Sequence, residues 1–428
     1  MSKTDLQHWQ GLEAGARLQP QTAADVATIL AGCRARGLSV VPIGGQTGLV
    51  GGTVVGPDQI GVSLAAMNRI ERLDPVERVA VVGAGVTLQA LQEAAAELGL
   101  EPGIDLAARG SATIGGMVAT NAGGVMAFRN GVMRHRVLGI EAVLPDGTIY
   151  SDLTRVVKNA AGYDLKHLFI GAEGTLGVVT KVALRLDVAP IATLTAVFAL
   201  PDVAAALQVV DMALRLDAGQ LRAAEAMWAD YIRLTAVSQG WQDASFPLDQ
   251  PIYLLLSLGG ADAEALAQGF ERLFEDILAR YPAASGIIAQ STAQDRALWL
   301  LREDSWAIYR THPDAPSYDI SVPLSALETY VCRVEQGLRA IDPQMRPYIF
   351  GHLADGNLHI VLNREGPLET GLEAAIDACL YNGLRELGGS FSAEHGVGSK
   401  RIQALLATAD AGKIAAMGLA KCALILPA

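Results

Sequence analysis

Three glycine-rich stretches, each abutting an apolar run, constrain this chain more than any other feature. The first is Gly44-Gly45-Gln46-Thr47-Gly48-Leu49-Val50-Gly51-Gly52, with five glycines in nine residues. It follows Leu38-Ser39-Val40-Val41-Pro42-Ile43, which reads as a buried strand. A loop so poor in side chains exposes backbone N–H groups and can approach a pyrophosphate closely. It matches neither G-x-G-x-x-G nor a Walker A loop, because no Lys-Ser/Thr follows. Taken alone, a tight structural turn explains it equally well.

The second stretch, Gly110 to Gly124, is rich in small and hydroxyl residues, and its Ser111, Thr113 and Asn121 can supply polar side chains to a phosphate or flat ring. Upstream of it, Val79 to Val86 reads as a strand ending at glycines, and Thr87 as the N-cap of a helix to Leu98. Val137 to Leu144 reads as a strand, with Pro145-Asp146-Gly147-Thr148 as a turn into Ile149-Tyr150. The third stretch runs Gly171-Ala172-Glu173-Gly174-Thr175-Leu176-Gly177-Val178. Three separated glycine loops on strands imply one long ligand with several polar contact points.

From Asp187 the character changes. Asp187 to Pro190 reads as a hinge. Strands at 192–200 and 251–258 alternate with helices at 203–213 and 262–281, with a further run at 224–228. This rhythm predicts an α+β domain with an antiparallel sheet. The expected organisation is a first domain over 1–186, a second over 187–385, and a C-terminal segment, 386–428, returning to the first.

A second constellation lies near the end. Only seven histidines occur, and three fall in Gly351-His352-Leu353-Ala354-Asp355-Gly356-Asn357-Leu358-His359 and Ser392-Ala393-Glu394-His395. The first segment reads as a β-hairpin turning at Asp355-Gly356. With Ala354 to Asn357 as its loop, Leu353 faces Leu358 and His352 faces His359. Opposed Cβ atoms about 5 Å apart let two imidazoles share one metal ion. Glu394 can add an oxygen ligand, and His395 an acid or base beside it. Asp355 and Asn357 read as turn formers. The competing reading is a plain hairpin with two half-buried histidines.

The 33 basic and 45 acidic residues leave a charge of −12, which disfavours nucleic acid and anionic bilayers as partners. The four cysteines (Cys33, Cys332, Cys379, Cys422) are scattered, which points to a reducing compartment. No apolar run is long enough to span a bilayer, and Met1-Ser2-Lys3-Thr4-Asp5 does not open a signal-peptide pattern. A cytoplasmic protein is the expectation.

Taken in order, P-x-G-G-x-T-G-L-V-G-G, G-S-x-x-I-G-G-x-V-A-T-N-A-G-G and G-Y-D-L-x-x-L-F-I-G-x-E-G-T-L-G resemble the FAD domain of the vanillyl-alcohol-oxidase and p-cresol-methylhydroxylase superfamily. Within it the chain is most similar to the FAD-linked D-2-hydroxy-acid dehydrogenases. The resemblance covers nearly the whole chain. It implies a p-cresol-methylhydroxylase-type FAD-binding domain followed by an α+β cap domain. It implies that Ile43, Gly44, Gly45, Gln46, Thr47, Gly48 and Leu49 wrap the FAD pyrophosphate. Gly110, Ser111, Thr113, Gly115 and Asn121 are then expected to approach the cofactor, and Glu173, Gly177 and Val178 its ring-side half. Some relatives tether FAD through a histidine in the first glycine loop. Gln46 and no histidine stand here, so non-covalent FAD is expected.

The same resemblance assigns His352, His359 and Glu394 as metal ligands and His395 as the base. It assigns Arg302 as the partner of the substrate carboxylate, where the residues alone read as a snorkelling surface arginine. Zinc is the first choice of metal, with manganese or iron also fitting the ligand set. The implied reaction is oxidation of a D-2-hydroxy acid, of the D-lactate or D-2-hydroxyglutarate class, to the 2-oxo acid. Electrons then pass to an acceptor such as an electron-transfer flavoprotein, a quinone or a cytochrome. A homodimer is the prior for oligomeric state.

The chain departs from the D-2-hydroxyglutarate dehydrogenase pattern. Ser317 replaces a lysine, Trp306 a threonine and Val361 an asparagine. These exchanges remove polar contacts expected near the substrate and favour a smaller or more apolar acid. The family continues through D-P-x-x-x-x-N-P where this chain ends Lys421-Cys422-Ala423-Leu424-Ile425-Leu426-Pro427-Ala428, which raises an opened flavin site or a truncation. Two alternatives follow. One is a non-catalytic FAD-binding electron-transfer or assembly subunit of an oxidase complex. The other is a sugar or lactone oxidase, which leaves the paired histidines and Glu394 unexplained.

Overall fold

The computed structural model describes residues 15–241 and 246–425. The N-terminal residues 1–5 and the last three residues considered above lie outside that range. The chain forms two compact units. One holds the chain up to Ala189 and again from Glu394, and the other Pro190–Ala393.

The first unit carries ten strands: β1 (Arg17–Leu18), β2 (Ser39–Ile43), β3 (Gln59–Ser63), β4 (Ile70–Asp74), β5 (Val79–Gly83), β6 (Leu100–Glu101), β7 (Val137–Val143), β8 (Ile149–Asp152), β9 (Val178–Arg185) and β10 (Asp187–Val188). Strands β1, β3 and β2 make a parallel sheet in that order. Strands β4-β5-β9-β7-β8 make an antiparallel one. The segment read as a hinge begins as β10, which pairs with β6.

Helix α1 (Ala23–Ala35) starts at a capping box. The Thr22 hydroxyl accepts from the Asp25 amide, and the Asp25 carboxylate accepts from the Thr22 amide. Thr87 caps α2 (Leu88–Ala96), as its position before the apolar run predicted. Between the antiparallel sheet and its helices lies a core of Val82, Leu88, Leu91, Ile114, Val118, Ile140 and Val182.

The second unit is a seven-stranded antiparallel sheet with helices on it. Its elements are β11 (Ala192–Leu200), β12 (Gln220–Trp228), β13 (Ile252–Gly260), β14 (Ser285–Ile288), β15 (Ser317–Ser321), β16 (Pro347–His352) and β17 (Asn357–Leu362), in the order β14-β11-β13-β12-β16-β17-β15. Strand β13 is buried from Ile252 to Leu258, so its unbroken apolar run reads as a central strand covered on both faces. On one face Phe198 meets Phe270 and Phe274. On the other, Val197, Met227, Tyr231, Leu298, Leu301, Phe350 and Val361 form one cluster. Each such buried side chain stabilises the fold by roughly 1.5–3 kcal/mol. A 3₁₀ turn over Leu324–Ala326 leads into an α-helix at Leu327.

Candidate active site

In the first unit the three glycine-rich stretches converge. Strand β2 ends at Ile43 and delivers the first loop, whose residues Gln46 to Leu49 are exposed. Among the described residues, none of the amides from Gly45 to Val50 donates a backbone hydrogen bond within the protein. A Cβ on Gly45 would stand 1.8 Å from the Ser111 carbonyl oxygen, so the first and second loops touch through backbone. Helix α3 (Ile114–Thr120) grows out of the second loop, with the Thr113 hydroxyl accepting from the Gly116 amide. Gly115 packs on Ala84 at the end of β5. Asn121 closes α3 in a left-handed conformation and accepts from the Arg134 amide. The third loop joins both others, because Gly174 lies against Pro42 and Gly171 against Asn121.

Glu173 is held at φ 51°, and its two carboxylate oxygens accept from the amides of Val397 and Gly398, each at 2.7 Å. The Val50 carbonyl accepts from Ser399 and Lys400. Glu394 accepts from the Gly124 amide at 2.6 Å. The C-terminal segment therefore closes onto the same loops. Of the expected cofactor contacts, Thr113 Oγ1 and Asn121 Oδ1 accept from backbone amides at the ends of α3, and Glu173 accepts from the returning segment. Gly177 packs on Phe169, and Val178 is buried in the core beside Ile60 and Val62. Exposed backbone amides on the first loop, backed by two further glycine loops, form a cradle suited to a phosphate-bearing cofactor.

The second unit builds its site by strand register. Residues facing one another across adjacent strands share one side of the sheet. One row reads Glu225 (β12), His352 (β16), Asn357 (β17), Ser321 (β15). The next reads Met227, Phe350, His359, Asp319. The hairpin register thus differs from the expected one. His352 faces Asn357, and His359 faces Phe350. The loop is Leu353–Gly356, a 3₁₀ turn closed by Gly356 at φ 75°. A Cβ there would stand 2.0 Å from the Val322 carbonyl oxygen, so this turn requires glycine. The slip is two residues, and the side-chain period is also two, so both histidines keep the same face. They become diagonal neighbours, with ring centroids 5.5 Å apart and planes at 83°.

Each histidine is backed by a buried carboxylate. His352 Nδ1 lies 2.7 Å from Glu225 Oε1. His359 Nδ1 lies 3.7 Å from Asp319 Oδ1. Glu225 and Asp319 are both wholly shielded from solvent. Glu225, accepting from Nδ1–H of His352, leaves that ring's lone pair on Nε2, the tautomer that binds a metal, whereas Asp319 stands in ion-pair range of His359. Asn357 corrects the expectation of a mere turn former. It is buried at the start of β17, and its amide donates to Asp319 Oδ1 at 2.8 Å and to the Ile320 carbonyl. Asp355 does sit in the turn, accepting from the Asn357 amide.

Arg302 corrects the snorkelling reading. It is buried near the end of α5 (Thr292–Glu303), and its Nη2 lies 2.7 Å from Glu225 Oε2. Its guanidinium lies 4.9 Å from the Phe350 ring centroid, and Tyr231 stacks on the same ring at 4.1 Å. The helix end is held by its neighbour, α4 (Ala229–Gln239). Tyr231 donates to the Arg302 carbonyl at 2.6 Å, and Thr235 to the Leu301 carbonyl at 2.8 Å. These bonds satisfy carbonyls that a helix C-terminus leaves open. Burial alone would raise the Glu225 carboxyl, but His352 and Arg302 outweigh it and hold the group below the usual range. Burial pushes the Tyr231 phenol up, which keeps it a neutral donor.

Glu225 and Asp319 had not been singled out in the sequence. The available signal was one acid inside an apolar strand, Ala223-Ala224-Glu225-Ala226-Met227, which a core tolerates only with a charged or hydrogen-bonding partner. Asp319 also faces Ser392 in a parallel bridge, and its carbonyl accepts from the Ala393 amide. Glu394 is the next residue along the chain.

Comparison with known proteins agrees with both halves. Residues 14–153 match the FAD binding domain family, and residues 189–424 match the FAD linked oxidases, C-terminal domain. The chain is 37% identical over 391 residues to the mitochondrial D-2-hydroxyglutarate dehydrogenase of Bos taurus, covering 90% of this chain and 70% of that protein. It is 35% identical over 408 residues to the D-2-hydroxyglutarate dehydrogenase of Xanthomonas citri pv. viticola, covering 93% and 84%. Its fold matches that of p-cresol methylhydroxylase with a TM-score of 0.73 at 16% identity, over 95% of this chain and 86% of the other. A glycine-loop cradle on one unit and an antiparallel sheet on the other are the two halves of that architecture, and the chain belongs to the FAD-linked D-2-hydroxy-acid dehydrogenase family of oxidoreductases.

Proposed function

We propose that this enzyme oxidises a D-2-hydroxy acid to the 2-oxo acid with non-covalent FAD and one divalent metal ion. One observation carries the metal: His352 and His359 stand on one sheet face, each with Nδ1 toward a buried carboxylate. With both imidazoles neutral, the carboxylates of Glu225, Asp319 and Glu394 and the guanidinium of Arg302 sum to two negative charges, which one divalent cation would balance. Glu394 is the third ligand in this reading. Zinc suits two nitrogens and one oxygen best, with manganese or iron next.

Bound FAD supplies a two-electron acceptor, and the metal ion a Lewis acid that makes a hydroxyl easier to deprotonate. Arg302 holds the substrate carboxylate. Its Nη2 is engaged by Glu225, and its buried Nε has no hydrogen-bond partner in the protein, so donor capacity remains for the acid. His395 takes the hydroxyl proton. Val361 is buried on the same strand face as His359, two residues along, and gives that side an apolar lining. That lining favours a small acid such as D-lactate over a dicarboxylate. Ser317 faces Val361 across the strands, and Trp306 is exposed and edge-on to Tyr309. A separate protein or quinone takes the electrons.

The test is anaerobic mixing of the FAD-loaded protein with D- and L-lactate, D-2-hydroxyglutarate, D-malate and glycolate. Bleaching of the flavin by at least one D-acid, with the L-enantiomer inert, is expected. Tight FAD with no bleaching by any of them would favour a non-catalytic flavoprotein subunit instead.

A further inference from the structure

We propose that Glu225 is a shared positioning residue, one buried carboxylate that orients both the metal-binding His352 and the substrate-binding Arg302. The inference rests on the function proposed above and adds a coupling between its two halves. The two oxygens of Glu225 are divided between two partners, with Oε1 2.7 Å from His352 Nδ1 and Oε2 2.7 Å from Arg302 Nη2. The carboxylate is fully buried, so water does not compete for either contact.

Strand pairing places one arm. Glu225 and His352 face each other directly across β12 and β16, so their side chains stand side by side on one face of the sheet. Packing places the other. Arg302 lies over Phe350, which stacks on Tyr231, and Tyr231 in turn holds the Arg302 carbonyl. Glu225 thus joins a residue carried by a sheet to one carried by a helix. Its first contact selects the Nε2 lone pair of His352 for a metal. Its second holds the guanidinium of Arg302 by Nη2. Loss of the carboxylate therefore weakens both binding events.

The experiment compares the full-length, FAD-loaded wild type with Glu225→Gln, whose side chain keeps the shape and removes the charge. Zinc affinity of metal-stripped protein is measured by competition with a chromophoric chelator. KM and kcat are measured in parallel with whichever D-acid bleaches the wild type. A 10- to 100-fold loss of zinc affinity is expected, together with a KM rise larger than the kcat loss. Arg302→Gln should raise KM and leave zinc affinity within a few-fold. In the double variant the two KM effects should be less than additive. Should Glu225→Gln fail to give FAD-loaded protein, Glu225→Asp keeps the charge, withdraws it by one methylene, and is expected to lose zinc affinity likewise. Unchanged zinc affinity in the variant, with a wild type that binds zinc, overturns the coupling alone. A wild type that binds no zinc overturns the metal reading and the coupling with it.

Discussion

At Arg302 a helix, an aromatic stack and a buried carboxylate meet. Its Nη2 lies 2.7 Å from Glu225 Oε2, and its buried Nε has no hydrogen-bond partner in the protein. Lysine cannot replace a planar fork held this way. Arg302→Lys should raise KM for the D-acid by one to two orders of magnitude, with a smaller loss in kcat, measured by steady-state assay with an artificial acceptor. His352→Ala removes a proposed ligand and takes one hydrogen bond from Glu225, which keeps Arg302. It should abolish stoichiometric metal, measured by elemental analysis. Losing a hydrogen bond to a buried carboxylate should also cost about 1.5–3 kcal/mol of stability. Gly356 tests the turn itself. Gly356→Ala places a methyl against the Val322 carbonyl in a left-handed turn, and should destabilise the protein by about 2 kcal/mol or more in urea unfolding.

The element that matters most is the hairpin of β16 and β17. Its alternation of apolar and polar residues made the hairpin legible, and the residues of its two histidines stood out by scarcity. The register was not legible, because a four-residue loop through Asp355-Gly356 can begin at Leu353 or at Ala354. What decided it was the contact of Gly356 with Val322, a residue outside the hairpin. The strands carrying Glu225 and Asp319 were legible in part, but their partners lie far along the chain, and one sequence does not pair strands. The three glycine loops were visible as loops. Their mutual contacts, and the use of Thr113 and Asn121 as helix ends, come from tertiary packing.

Just past α5, Asp304 accepts from Ser238, Gln239 and Arg310. Burial alone would raise its carboxyl, but these hydrogen bonds outweigh that and hold it below the usual carboxylate range. Its contribution to stability is therefore present above the unfolded-state pKa and lost as pH falls through the lower folded value. Asp304→Asn should flatten the acid side of the stability–pH curve, measured by urea titration from neutral pH down to about pH 3, near the reference carboxylate pKa.

For the whole molecule, the two units carry different groups. The glycine-loop unit offers backbone amides. The sheet unit offers two histidines, an arginine and the acids behind them. Among the described residues, no helix is long and apolar enough to cross a membrane. The central claim is that oxidation of the D-acid depends on a metal held by the paired histidines. It is tested most directly by stopped-flow flavin reduction under anaerobic conditions, using protein stripped with a chelator and the same protein reloaded with zinc, manganese or iron. The account predicts that stripping slows flavin reduction by at least 100-fold and that one of these metals restores it, with FAD content unchanged. Equal reduction rates in stripped and reloaded protein would contradict it.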